Sequence, residues 1–138
     1  MRLSSVLTAL ALLSGGAGLA HASQTIASPP LQTVSNTAGA CYIRNVGTRP
    51  ITVQISPLIN FTPGFRTADF NNCSNGNDGL PLQPGHTCVL LINALDADVT
   101  FACSAVIGGG AKNVRGSIEI RSILPGGGAQ TILADVLR

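Results

Sequence analysis

From Cys41 onward apolar residues recur at every second position, and no helical period appears after the N-terminal leader. Successive side chains of a strand point to opposite sides, so this alternation buries one face and wets the other only in a β-strand. Ile51, Val53 and Ile55 alternate with Thr52, Gln54 and Ser56. Val114, Ile118 and Ile120 alternate with Arg115, Ser117, Glu119 and Arg121, with Gly116 on the apolar side. Phe101, Cys103, Ala105 and Ile107 form a further inward set, and Ile132, Ala134 and Val136 a last one. Turn chemistry separates the runs: Asn45 to Pro50, the polar loop Asn71 to Gly79, Pro84-Gly85, Leu95 to Asp98, Gly108 to Gly110 and Pro125 to Gly128. Leu95 to Asp98 reads as a tight reversal, and both glycine runs read as hairpin turns. Six or seven short strands at this spacing predict an all-β, antiparallel β-sandwich. A closed barrel is the weaker alternative.

The cysteines narrow the picture further. Arg2, the apolar stretch Leu3 to Leu13, the break at Ser14 to Gly18 and Ala20-His21-Ala22 together read as a signal peptide cleaved after Ala22. That run is too short to span a bilayer, which needs about 20 apolar residues, and no second run of membrane length follows. The expected organisation is a signal peptide over 1–22, an extended arm or linker over 23–38 carrying Pro29-Pro30, and a β-sandwich domain over 39–138. A secreted or periplasmic product follows. In an oxidising compartment the even set Cys41, Cys73, Cys88 and Cys103 means two disulfides. Three pairings are open. Cys41 with Cys103 and Cys73 with Cys88 is preferred, since the first would join early and late strands and the second would pin the Asn-rich loop. The rival pairs Cys88 with Cys103 across a hairpin turning at 95–98. No two cysteines are closer than 15 positions and the mature chain keeps only His86, so neither a zinc knuckle nor a redox pair is indicated.

Charge and motifs argue mainly by exclusion. Without Arg2 the chain has seven basic and six acidic residues, a net charge of +1. Arg44, Arg49, Arg66, Lys112, Arg115, Arg121 and Arg138 are scattered, so no nucleic-acid or anionic-membrane partner is expected. The glycine runs lead into strands, where a phosphate loop would need a helix. Asn75, Gly76, Asn77 and Asp78 faintly resemble a calcium loop with a single carboxylate, too few for the ion. No Gly-x-Ser-x-Gly elbow is present, nothing evident orients His86, and the spacing of Asp69, Asp78, Asp96, Asp98, Glu119 and Asp135 nominates no pair. The expectation is therefore no enzyme, no catalytic residue, no metal and no cofactor. Phe61, Phe65 and Phe70 form the one aromatic cluster, flanking Pro63-Gly64. Candidate binding residues are these three with Asn75, Asn77 and Asp78.

Asn45 to Val53 resembles the strand–turn–strand of immunoglobulin-like domains of the ASPM/SPD-2/Hydin type. Leu82 to Leu90 (LQPGHTCVL) is similar to their "L-x-P-G-x-x-C-x-apolar" segment, and Gly116 to Ile120 to their late "G-x-L-x-I" strand. The likeness covers about residues 41–122. It departs at Ile92-Asn93-Ala94, where the family has Phe-x-Pro, and in the extra Cys41 and Cys103. The chain also resembles small secreted bacterial proteins with a similar cysteine arrangement. The resemblance implies an immunoglobulin-like sandwich used for protein binding or assembly, with no catalytic residues to carry over. The functional expectation is a non-catalytic binding module acting on an unidentified protein partner. The alternatives are a pilin- or adhesin-like assembly subunit that exchanges its N-terminal arm, and a small inhibitor or hydrolase. The sequence leaves the oligomeric state open.

Overall fold

A computed structural model describes residues 23–60, 62–63, 66–76, 79–124 and 128–137. The signal peptide expected over 1–22 lies outside them. The strands are β1 (Gln24–Ala27), β2 (Leu31–Gln32), β3 (Thr37–Asn45), β4 (Thr52–Ile59), β5 (Thr62–Pro63), β6 (Phe70–Asn71), β7 (Thr87–Leu95), β8 (Thr100–Gly108), β9 (Val114–Ile123) and β10 (Ala129–Leu137). A single 3₁₀ turn, Ala111–Asn113, precedes β9. Seven strands have four residues or more and three are two-residue pieces, so the expected all-β sandwich is observed. One sheet runs β1-β8-β4-β5, with β2 also on β8; the other runs β10-β9-β3-β7-β6. All pairings between strands are antiparallel.

Period-two alternation fills the space between the sheets. Phe101, Cys103, Ala105 and Ile107 of β8, Val53 and Ile55 of β4, Cys41 and Ile43 of β3, Leu90 and Ile92 of β7, and Ile118 and Ile120 of β9 are all buried in one core. The Cys41–Cys103 disulfide joins the middle strands of the two sheets, and Cys73–Cys88 ties the Asn-rich loop to β7. On the chain-entropy picture, loops of 62 and 15 residues stabilise by about 4 and about 3 kcal/mol. Gly39 lies under the Phe101 ring, where a Cβ would come within 2.5–2.7 Å of three ring carbons.

The connections differ from the sequence reading in instructive ways. The turn at 96–98 does not make a hairpin; it carries the chain from β7 in one sheet to β8 in the other. Left-handed Ala94 and Asp98 bend the backbone there, and buried Thr33 holds the bend by donating to the Asp96 and Val99 carbonyls. Cys88 and Cys103 therefore face different partners, and the rival pairing fails. Gly108 to Gly110 is likewise a crossing between sheets, not a hairpin, taken with φ +100° at Gly109 and +96° at Gly110. The segment read as an arm supplies β1 and β2, both hydrogen bonded to β8 on either side of the Pro29-Pro30 break.

The expected last inward set is overturned. Ile132, Ala134 and Val136 are exposed, and only Leu137 of β10 is buried. β10 is an edge strand with an irregularity between Thr131 and Leu133, so its register carries Ala134 and Val136 opposite the outward-facing Glu119 and Ser117. Leu137 fills the space left by Gly116, whose Cβ would come 2.8 Å from the Leu137 Cβ.

Candidate functional site

A sandwich has four lateral edges, each a row of backbone donors and acceptors that will pair with any extended chain unless blunted. Three are blunted here. Along β4, the Val53 amide donates to Ser74 Oγ (2.9 Å), and the Asn75 side-chain amide both accepts from Ile55 N (3.0 Å) and donates to Ile55 O (2.8 Å). Ile51 then pairs with Leu82, so Ser74, Asn75 and Leu82 together stand in for a neighbouring strand. Along β7, Asp69 and Asn72 donate to the carbonyls of Leu91 and Val89, while their side chains accept from the amides of Asn93 and Val89. On β8, the outer neighbours β1 and β2 are short and interrupted by two prolines. The fourth edge, β10, is nine residues long, has one charged residue, Asp135, and is paired on its outer side by nothing among the described residues. It exposes Ile132, Leu133 and Val136 at 42%, 43% and 47%.

The candidate residues from sequence fall unevenly on this frame. Phe61, Phe65, Asn77 and Asp78 lie outside the described residues. Phe70 is exposed on the outer face, opposite half-buried Leu91. The Asn75 amide is committed to Ile55, as above. Asn60 and Asn72, each the first residue of an Asn-x-Ser/Thr triplet of the N-glycosylation pattern, have backbone duties: Asn60 Oδ1 accepts from Thr100 N (3.0 Å) and Asn72 Oδ1 from Val89 N (2.6 Å). Among the described residues no group of three His, Cys, Asp or Glu side chains could hold a metal ion. On the outer face, Glu119 pairs with Arg121 (2.8 Å), whose guanidinium sits over the Tyr42 ring (5.3 Å), and Thr131 Oγ1 donates to the same carboxylate (3.2 Å). Burial holds the Tyr42 hydroxyl above its ordinary range, with Arg121 pulling the other way.

The scattered cations are not scattered in space. The chain traverses the sandwich end to end, so every second turn returns to the same end. Arg44 is the penultimate residue of β3, Arg49 lies in the β3–β4 turn, Lys112 in the β8–β9 crossing and Arg115 near the start of β9; all four lie at one end. Asp96 and Asp98 occupy the β7–β8 turn at the other. Among the described residues the ion pairs are Arg66–Asp69 and Arg121–Glu119, so the four gathered cations have no carboxylate partner. Arg44 and Arg115 are directly opposite across β3 and β9, a like-charge juxtaposition that costs about 0.2–1 kcal/mol.

That pair lines a depression with Tyr42, Thr87 and Ser117; a separate cleft of about 830 Å³ at the same end is lined among others by Thr48, Arg49, Ile51, Gly109, Gly110 and Lys112. Asn45, fully buried, shapes one wall: its Nδ2 donates to the carbonyls of Arg49 (2.8 Å) and Leu82 (3.0 Å), and its Oδ1 accepts from Gly47 N (2.9 Å). The opposite wall is fixed by Val46 N donating to Asn113 O (2.8 Å) and Ala111 N to Gln24 Oε1 (3.3 Å). Among the described residues, the amides of Gly109 and Gly110 have no acceptor. A Cβ at Gly110 would meet nothing within 4 Å. The alternation of turns along the sequence was the signal that would have revealed this end.

No protein family, curated protein or solved structure matches this chain. Among the described residues no helix is long and apolar enough to cross a membrane. The two disulfides fit an extracellular or periplasmic environment.

Proposed function

We propose that the protein is a secreted or periplasmic, non-catalytic binding module of immunoglobulin-like type that engages a protein partner by strand addition at β10. One observation carries the reading: three edges are blunted by side chains or prolines, and the apolar fourth has no outer partner among the described residues along its nine residues. An extended partner segment laid along β10 would satisfy its outer backbone groups, and the alternating Ile132, Ala134 and Val136 would supply the side-chain contacts. The Asp135 carboxylate, which accepts from Val136 N (2.7 Å), is the single charge in the way. Charged side chains on an edge strand oppose such pairing. Ile132→Lys with Val136→Lys should therefore abolish complexes formed in the native extracellular or periplasmic fraction, read as co-elution on a sizing column, while leaving the monomer folded. Complexes that persist in this double variant would refute the reading.

The assembly-subunit alternative draws on β1, a four-residue edge strand set off from the body by Pro29-Pro30 and joined to β8. Exchange would replace this pairing with the same pairing to a neighbour's β8. A heat-sensitive ladder from unboiled, unreduced protein, lost on deletion of 23–38, would establish it. A single monomer band would reject it.

A further inference from the structure

We propose that the cleft at the basic end is a binding site for a ligand bearing two or more neighbouring tetrahedral oxyanions, phosphate or sulfate groups. The inference is independent of strand addition at β10. Four of the chain's cations, Arg44, Arg49, Lys112 and Arg115, reach this end from two separate segments, and none has a carboxylate within 4.0 Å among the described residues. Arg49 and Lys112 line the cleft itself. Arg44 and Arg115 face one another on adjacent strands and line a separate depression, so they add to the positive potential of this end without lining the cleft.

The backbone adds donors. Gly109 and Gly110 line the cleft with left-handed φ and with amides that lack an acceptor among the described residues. The open space beside Gly110 lets a ligand oxygen approach the backbone as it could not approach a residue with a side chain. Guanidinium, ammonium and free amides together suit an acceptor with three oxygens, more than a planar carboxylate does. Two cations and two backbone amides distributed along a cleft of about 830 Å³ leave room for more than one anionic group. The walls are held by the Asn45, Val46 and Ala111 hydrogen bonds, so the site is formed without ligand. Ile51 and Pro50 supply an apolar floor for whatever carries the oxyanions. By contrast, the Arg121–Glu119–Tyr42 group on the outer face is internally neutralised and offers no charge to a ligand.

The test is an amide-resolved NMR titration of the disulfide-intact protein with pyrophosphate and, separately, with a sulfated disaccharide, against sodium chloride at matched ionic strength. Saturable shifts at Gly109, Gly110 and the Arg49 side chain are expected from one or both probes, and which probe binds tighter identifies the source of the oxyanion. Each cation removed should weaken binding by about fivefold, so Arg49→Gln with Lys112→Gln should lower affinity by about 25-fold. Arg121→Gln, outside the cleft lining and paired with Glu119, should leave it unchanged. Lys112→Gln alone, at an exposed position, serves if the double variant loses its dispersed spectrum. Shifts that follow ionic strength without saturating would overturn the proposal. So would an unchanged affinity in the Lys112 variant, or binding of a duplex oligonucleotide with no response to either small probe.

Discussion

Asn45 is the residue on which the cleft wall and the β3–β4 crossing both depend, and its replacement should separate hydrogen bonding from packing. It is fully buried and makes three side-chain hydrogen bonds, to Arg49 O, Leu82 O and Gly47 N. Leu82 O keeps a second donor, Ile51 N (3.1 Å), and Arg49 is exposed enough for water to replace its bond. Counting about 1 kcal/mol per lost bond, with the Arg49 bond partly recovered, Asn45→Ala should cost about 2–3 kcal/mol. At about 4 °C per kcal/mol for a domain of this size, the melting temperature should fall by about 8–12 °C. Asn45→Asp keeps the shape but turns a carboxylate toward two carbonyls, so it should cost more than Ala at pH 7. Burial and those carbonyls raise the folded-state pKa of the new acid above its unfolded value. The stability it retains is then fully present below the unfolded pKa of about 3.9 and is lost as pH rises through the folded pKa. Urea unfolding of both variants followed by far-UV circular dichroism, at pH 4 and pH 7 beside the parent, reads this directly. An Asp variant matching Ala at pH 7, or gaining nothing over Ala on acidification, would refute the assignment of Asn45 as a buried donor.

Removing the disulfides as pairs should rank them. Cys41→Ala with Cys103→Ala should cost about 4 kcal/mol and Cys73→Ala with Cys88→Ala about 3 kcal/mol, measured by the same urea unfolding; a reversed order would mean that native-state packing, not loop length, dominates. Loss of Cys73–Cys88 should also speed hydrogen exchange of the Val53 and Ile55 amides, because the bridge holds Ser74 and Asn75 against β4. Gly39→Ala should destabilise by about 1–3 kcal/mol through overpacking against Phe101, and Phe101→Leu in the same chain should recover part of it. Tyr42 is the single tyrosine of the chain, so its ionisation can be followed by ultraviolet absorbance. Its folded pKa is raised by burial. Stability should therefore be flat below pH 10 and fall as pH rises from there through the folded pKa, a slope that Tyr42→Phe removes.

Where strands have one neighbour sheet and one wet face, the sequence was readable. Ile51, Val53 and Ile55 alternate because β4 has a core side and a water side, and the same holds for β8 and β9. β10 broke the rule because alternation reports which face a residue is on, not whether anything covers that face. An edge strand can carry Ile132 and Val136 in period without a core to receive them. The turn at 96–98 was legible as a reversal but not as a change of sheet. That choice rests on left-handed Ala94 and Asp98 and on Thr33, 63 and 66 positions away from the carbonyls it holds. The basic end was hidden for a related reason: Arg44 and Arg115 are 71 positions apart by residue number (115 − 44) yet directly opposite in register. Spacing in sequence registers charge runs along one element and is blind to charges placed one per turn.

The edge accounting and the charge accounting bear on one another. An Asn-rich loop is expensive to order, because each residue fixed costs about 1–2 kcal/mol of backbone entropy, and a solvent-facing loop recovers little of it. Here the loop is tied by the Cys73–Cys88 bridge and turned edgewise, so that Ser74 and Asn75 occupy the donors and acceptors of β4, and Asn72 those of β7. Its polar composition is thereby accounted for by edge protection, and a ligand is not needed to explain it. The same argument cannot be made for β10 or for Arg44, Arg49, Lys112 and Arg115. Nothing among the described residues satisfies the outer side of β10, and nothing neutralises the four cations. A fold that spends side chains on two other edges and pairs Arg66 and Arg121, the two other described arginines, with carboxylates has left these two places open together among the described residues. They are separable by experiment, since lysines at positions 132 and 136 act on the β10 edge and glutamines at 49 and 112 act only at the cleft.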